Sequence, residues 1–200
     1  MRALFAAVAI TAVATLVSPA AAQVSTPIPT GTSPGPNLPP APFDPAPPGS
    51  VFQFKKYKVV VGKSAGYFVH LTSNGRPVSG TLFSLGDPDY VNASELTKFS
   101  QIWPLIVGKT VRYHRYDPRN SSLSWEDEVS VIGTDTLKIG EKSIDVYVVR
   151  WNSHGENRNN WEGTRTNWYA PSLGWNVKFT SHDNQGAGDD DQVVDYELPK

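Results

Sequence analysis

From residue 51 onward the chain alternates apolar and polar positions, the period-two signature of half-buried strands. Phe52-Gln53-Phe54-Lys55 and Tyr57-Lys58-Val59-Val60-Val61 predict a first strand or pair. Gly66 to Leu71 predicts a strand that returns at Asn74-Gly75, two residues that tolerate the positive φ of a tight hairpin. The return strand is expected from Pro77 to Leu85, at a sheet edge or strand start, because Pro77 has no N–H for a ladder. Further strands are expected over Thr110–Tyr116, Leu123–Ile132, Leu137–Ile139, Ser143–Trp151, Trp161–Ala170, Trp175–Phe179 and Gln192–Leu198. In Ser143–Trp151, Ile144, Val146 and Val148 should share one face, and Tyr147, Val149 and Trp151 the other. Ile144, Val146, Val148 and Val177 are the expected core.

One segment breaks this rhythm. Leu96, Phe99 and Ile102 recur at three-residue spacing and form the buried stripe of a short helix. Asn92 suits its N-cap, Glu95 completes a capping-box pattern, and Pro104 ends it. About nine short strands separated by tight turns predict an all-β fold. It would be an antiparallel curved sheet, a sandwich or a partly open barrel, with one short helix over an edge or an end. Periodicity leaves the choice among these open.

The amino-terminal quarter reads differently. Residues 1–22 have Arg2, an apolar run from Ala3 to Val17, and Ala20-Ala21-Ala22, the pattern of a signal peptide cut before Gln23. Residues 23–50 hold ten of the 17 prolines and few apolar side chains, which predicts a disordered, proline-rich linker. The folded domain is then 51–200. No later run approaches 18 apolar residues, so no membrane span is expected after signal cleavage. The expected location is the bacterial periplasm or the exterior.

A net charge of −1 excludes a broadly basic nucleic-acid binder. The absence of cysteine excludes disulfides, thiol catalysis, thiolate zinc sites and a lipidated cysteine.

Three stretches carry a resemblance. Ile102-Trp103-Pro104-Leu105-Ile106-Val107-Gly108-Lys109 is similar to a W-P-L-x-V-G-K segment. Val131 to Thr136, followed by Gly140 and Asp145 to Val149, is similar to a strand–turn–strand unit. Trp168-Tyr169-Ala170-Pro171-Ser172-Leu173-Gly174-Trp175 is similar to a W-Y-A-P-x-L-G hairpin. Together, over about the last 100 residues, they resemble uncharacterised secreted β-rich proteins of Gram-negative bacteria. The resemblance implies an antiparallel β fold and a periplasmic address, and carries over no catalytic residue.

Catalytic templates are absent: the sequence has no P-loop, dinucleotide glycine motif, G-x-S-x-G elbow or H-E-x-x-H. His154-Gly155-Glu156 and His182-Asp183 have metal-ligating side chains but read as solvated loops, so no catalytic residue, metal or cofactor is assigned. Asp183 to Asp191 has calcium-like composition without EF-hand spacing, and reads as an acidic hairpin tip. Tryptophan is the informative excess, since Trp151, Trp161, Trp168 and Trp175 fall within 25 residues beside asparagines and arginines. Core packing explains part of that density. The remainder predicts a ligand-binding surface of Trp161, Arg158, Arg165 and Trp151 for a glycan, a peptide or another envelope component. The expected function is an envelope-associated binding or structural module. The alternative is a hydrolase of a cell-wall or extracellular polymer, which would need a histidine and a carboxylate in contact within a buried polar cleft.

Overall fold

The computed structural model describes residues 35–81, 91–117, 119–157 and 160–199. The expected signal peptide at 1–22, the linker residues 23–34 and the strand end at Leu82–Leu85 lie outside the described residues. Four strands precede the helix: β1 (Val51–Phe54), β2 (Lys58–Ala65), β3 (Phe68–Ser73) and β4 (Arg76–Thr81). The helix α1 (Ala93–Ser100) is followed by β5 (Thr110–Asp117), β6 (Asn120–Ile139), β7 (Lys142–Gly155), β8 (Glu162–Ala170), β9 (Trp175–Asp183) and β10 (Gly188–Glu197). They form one open antiparallel sheet in the order β4-β3-β2-β1-β10-β9-β8-β7-β6-β5. The fold is therefore a curved sheet rather than a sandwich or a closed barrel. Its curl is visible where Gln192 Nε2 on β10 donates to the Lys138 carbonyl on β6 at 2.9 Å. Those strands are four places apart, a separation of about 19 Å in a flat sheet.

Local chemistry explains the expected elements. Asn74 and Gly75 take φ values of 47° and 78° and turn β3 into β4. Pro77 lies on β4, an edge of the sheet. Asn92 Oδ1 accepts the N–H of Glu95 at 3.0 Å and caps α1. Phe99 and Ile102 are buried and Leu96 packs against the same core. The Glu95 carboxylate, expected within a capping box, reaches across to β5 and accepts the N–H of His114 at 2.7 Å.

Two expectations are corrected. The strands expected at 123–132 and 137–139 are one, because a bulge between Val131 and Gly133 absorbs the glycine without ending the β6–β7 ladder. The core includes Ile144, Val146 and Val177, but Val148 is only half-buried. It pairs with Trp168 on β8, which pairs in turn with Lys178, whose Nζ lies 4.4 Å from the indole centroid. Val148 thus joins an outer-face cluster, whereas Tyr147, Val149 and Trp151 are buried on the other face of β7.

Residues 35–50, expected within the disordered linker, run along the domain as an extended strap. Ala41 and Leu105 exchange backbone hydrogen bonds at 3.1 and 2.7 Å, and the Ala46 N–H donates to the Gly174 carbonyl at 3.0 Å. The hydroxyls of Tyr147 and Tyr169 donate to the carbonyls of Pro39 and Asp44 at 2.7 and 3.1 Å. Phe43 meets Trp103 edge-on at 5.2 Å. The physical reason is that a proline-rich chain leaves its carbonyls free of internal hydrogen bonds, and two buried tyrosines need acceptors. Gly174 makes the close approach possible: its φ is +59°, and a Cβ there would stand 2.5 Å from the Ala46 nitrogen.

Candidate functional site

The registers of β7 to β10 build a patch of side chains from distant parts of the chain. Ser153 pairs with Gly163, and Gly163 with Asp183. In the next inward row Trp151 pairs with Arg165, Arg165 with Ser181, and Ser181 with Asp189. Directly paired residues project to the same side of a sheet, so Ser153, Arg165, Ser181, Asp183 and Asp189 share one face. It is the face that α1 and the strap cover further along, where Trp151 packs 5.6 Å from Phe99 and Tyr169 5.3 Å from Trp103. Past that cover a cleft of about 340 Å³ opens over β8, β9 and β10.

Arg165 occupies the cleft as a half-buried cation. Its Nε donates to Asn167 Oδ1 at 3.0 Å and its guanidinium lies 4.1 Å from the centroid of Phe179. Asn167 is itself fixed, because the same oxygen accepts from Asn176 Nδ2 at 3.0 Å in the buried interior. Among the described residues no carboxylate lies within 4.0 Å of the Arg165 guanidinium. Asp189, across the cleft, is bound to Lys56 Nζ at 2.6 Å. Tyr57 is held neutral near Arg165, since burial and the nearby Asp191 push its hydroxyl up to about 12. Burial pulls the Arg165 guanidinium below its ordinary value, the mark of a cation only partly compensated by the protein.

Trp161 forms one wall. Its Nε1 donates to Asp183 Oδ2 at 3.2 Å, and its ring lies so close over Gly163 that a Cβ there would be 2.6 Å from Cη2. The Asp183 carboxylate also accepts the N–H groups of Ala187 and Gln185 at 2.8 and 3.0 Å. The backbone hydrogen bonds, led by that from Ala187, hold Asp183 below the usual carboxylate range against the opposing effect of desolvation. The acidic hairpin tip therefore orders the β9–β10 turn and positions the indole. Buried Asp191, on the same hairpin, accepts the N–H groups of Lys55 and Lys56 at 3.1 and 3.3 Å.

The residues proposed from sequence are thus partly assembled. Trp161 and Arg165 line the same cleft. Trp151 is 3% exposed, inside the core between Phe99 and Tyr113, and Arg158 lies outside the described residues. Trp175 is buried and stacked 5.1 Å from Phe52, and Trp168 belongs to the outer face. The sequence gives no signal for Ser153 and Ser181, and marks Asp183 and Asp189 only as part of an acidic hairpin tip. They stand up to 36 positions apart and only the strand register unites them.

The opposite face of β7 and β8 carries a second groove, lined by Arg112, Glu126, Glu128, Asn152, His154 and Glu162. Histidine–carboxylate contacts occur on this side: His154 Nδ1 to Glu162 at 3.9 Å, and His114 Nδ1 to Glu156 at 3.3 Å. His154 and Glu162 are largely exposed, and Arg112 is bound to Glu128 at 2.6 Å. Among the described residues no group of three or more His, Asp or Glu is arranged to hold a metal, and no helix is long and apolar enough to cross a membrane.

No family model matches the chain, and no curated protein matches it. Among solved structures it is similar to the hypothetical lipoprotein YmcC of Escherichia coli, with 13% identity, a TM-score of 0.49, and 76% of this chain and 84% of that one covered. It is also similar to a protein of Parabacteroides distasonis provisionally described as a lipoprotein, at 12% identity, TM-score 0.42, and 80% and 100% coverage. A third is a Bacteroides fragilis protein with a YmcC-like fold, provisionally described as exported, at 15% identity, TM-score 0.38, and 78% and 99% coverage.

Proposed function

We propose that the chain is an exported binding module that works in the bacterial periplasm or outside the cell and holds an envelope or extracellular ligand, a glycan or a peptide, in the Trp161–Arg165 cleft. Residues 1–22 support the export. The observation that carries the binding reading is Arg165: a half-buried guanidinium, pinned by Asn167 and Phe179, without a carboxylate within 4.0 Å among the described residues and lining a cleft beside an indole. A cation kept in a partly dry site without a directly paired carboxylate is costly, and a ligand anion or acceptor would offset that cost. The hydrolase alternative asks for a histidine and a carboxylate in contact within a buried cleft. The two contacts found are on the other face and open to solvent, which favours binding.

The test is a binding screen of the full chain against immobilised envelope glycans and peptides. Trp161→Ala and Arg165→Gln should each weaken capture by about 2 kcal/mol or more, some thirtyfold in Kd. Trp168→Ala, on the outer face, should leave it unchanged. Equal capture by all four proteins would overturn the cleft as the binding site.

A further inference from the structure

We infer, building on the binding reading above, that the cleft ligand is a carboxylated saccharide, its carboxylate paired with Arg165 and a sugar ring resting against Trp161. Three features of the cleft select this class. The first is the geometry of Arg165. Nε is used by Asn167 and one face of the guanidinium by Phe179, so the group has a set plane and its Nη atoms remain as the fork for a ligand. That fork matches a planar carboxylate with two parallel hydrogen bonds.

The second is charge. The cleft holds Arg165 against Asp183 and Asp189, with Lys56 bound to Asp189. The sum is close to zero, which suits a monoanion and disfavours a phosphate dianion. Asp183 and Asp189 are both held below the usual carboxylate range, so they stay ionised and can only accept. A saccharide answers with hydroxyl donors, and Ser153 and Ser181 add hydroxyls of their own to the lining.

The third is position. The cleft sits over β8, β9 and β10, in the interior of the sheet, whereas its edges are β4 and β5. The backbone groups of β8 and β9 on its floor are spent in ladders, so a ligand lying there meets side chains rather than main-chain partners. Recognition falls to side chains, and a volume of about 340 Å³ is at the small end of small-molecule sites. The indole, fixed by Asp183 and seated on Gly163, is a rigid apolar wall for the less polar face of a sugar ring.

Calorimetric titration of the full chain with disaccharides of galacturonate, glucuronate and mannuronate, each beside its methyl ester, and with galactose 6-phosphate, tests the inference. At least one acid should bind, and its ester should bind about tenfold or more weakly. Arg165→Lys should weaken the acid about tenfold and the ester by clearly less. The acid–ester comparison uses unaltered protein, so it stands even if a variant folds poorly. An ester that binds as tightly as its acid, with both lost in Trp161→Ala, would overturn the carboxylate while the binding module stands. Tighter binding of galactose 6-phosphate, or no binding of any uronate, would also overturn it, and the glycan and peptide screen then judges the binding reading separately.

Discussion

The carboxylate of Glu95, on α1, accepts the backbone N–H of His114, on the edge strand β5, at 2.7 Å. A sheet edge presents unpaired N–H groups that invite another chain, and one of those on β5 is filled here by a helix side chain. Lys98, one turn on in α1, holds the other Glu95 oxygen at 2.7 Å.

Glu95→Ala should therefore destabilise the domain by about 1–3 kcal/mol, since a buried acceptor is removed and the His114 N–H is left without it. Desolvation alone would raise the Glu95 carboxyl, but the hydrogen bonds from Lys98 and the His114 N–H outweigh it and hold the group below its ordinary value of 4.5. A depressed carboxylate contributes stability that is full above pH 4.5 and is lost as pH falls through the folded-state value. Urea unfolding of wild type and Glu95→Gln should differ at pH 7 and converge in acid. A gap that is constant with pH would count against this linkage.

Asp127 is fully buried on β6 and pairs with Arg115, which also donates to Ser153 Oγ at 3.3 Å. Asp127→Ala should cost about 3–5 kcal/mol, because it leaves a mostly buried guanidinium without its counterion. Replacing Arg115 as well, as in Arg115→Leu with Asp127→Leu, should recover part of that loss. Denaturant midpoints of the single and double variants measure both.

Val146 is fully buried in the middle of β7. Val146→Asp should unfold the domain, because a lone buried carboxylate costs several kcal/mol out of a typical ~5–15 kcal/mol stability. Far-ultraviolet circular dichroism at 25 °C and thermal melting would report it, and near-wild-type melting would show that the strand faces elsewhere.

The strap makes a separate prediction. Tyr169→Phe should cost about 1 kcal/mol through the lost hydrogen bond to the Asp44 carbonyl. Gly174→Ala should cost more, about 1–3 kcal/mol, because it combines a positive φ with a collision against Ala46 and Asp44. Limited proteolysis should leave residues 35–50 intact in wild type and expose them in Gly174→Ala. Equal cleavage in both would mean that the strap is not held by this contact.

Gly163→Ala should displace the Trp161 ring, since a Cβ would stand 2.6 Å from it, with little effect on the ladder around it. A change in indole emission that disappears in a Trp161→Phe background, together with weaker ligand capture, is the expected result. Unchanged emission would show that the ring already has room to move.

Local chemistry made much of the fold readable. The Asn74-Gly75 hairpin, the Asn92 cap and the alternation through β7 each depend on neighbouring residues, so the sequence displayed them directly. The strand expected to end at Ile132 runs on through Gly133, and only the partner strand β7 shows the irregularity there to be a bulge. Trp161 and Arg165 stood out by density of type, but density could not separate them from Trp151, which is buried in the core under α1.

By itself the sequence determined the class of structure: antiparallel strands, one capped helix, and a proline-rich segment leading in. Tertiary structure decided that ten strands remain one open curved sheet, that residues 35–50 fold back as a strap, and that Arg165 meets Trp161, Ser181, Asp183 and Asp189 in one cleft. Those outcomes rest on register and on contacts between distant positions, 125 apart for Tyr169 and Asp44. A strand's alternation tells which residues share a face, while the residues beside them on the next strand are set only when the ladders form.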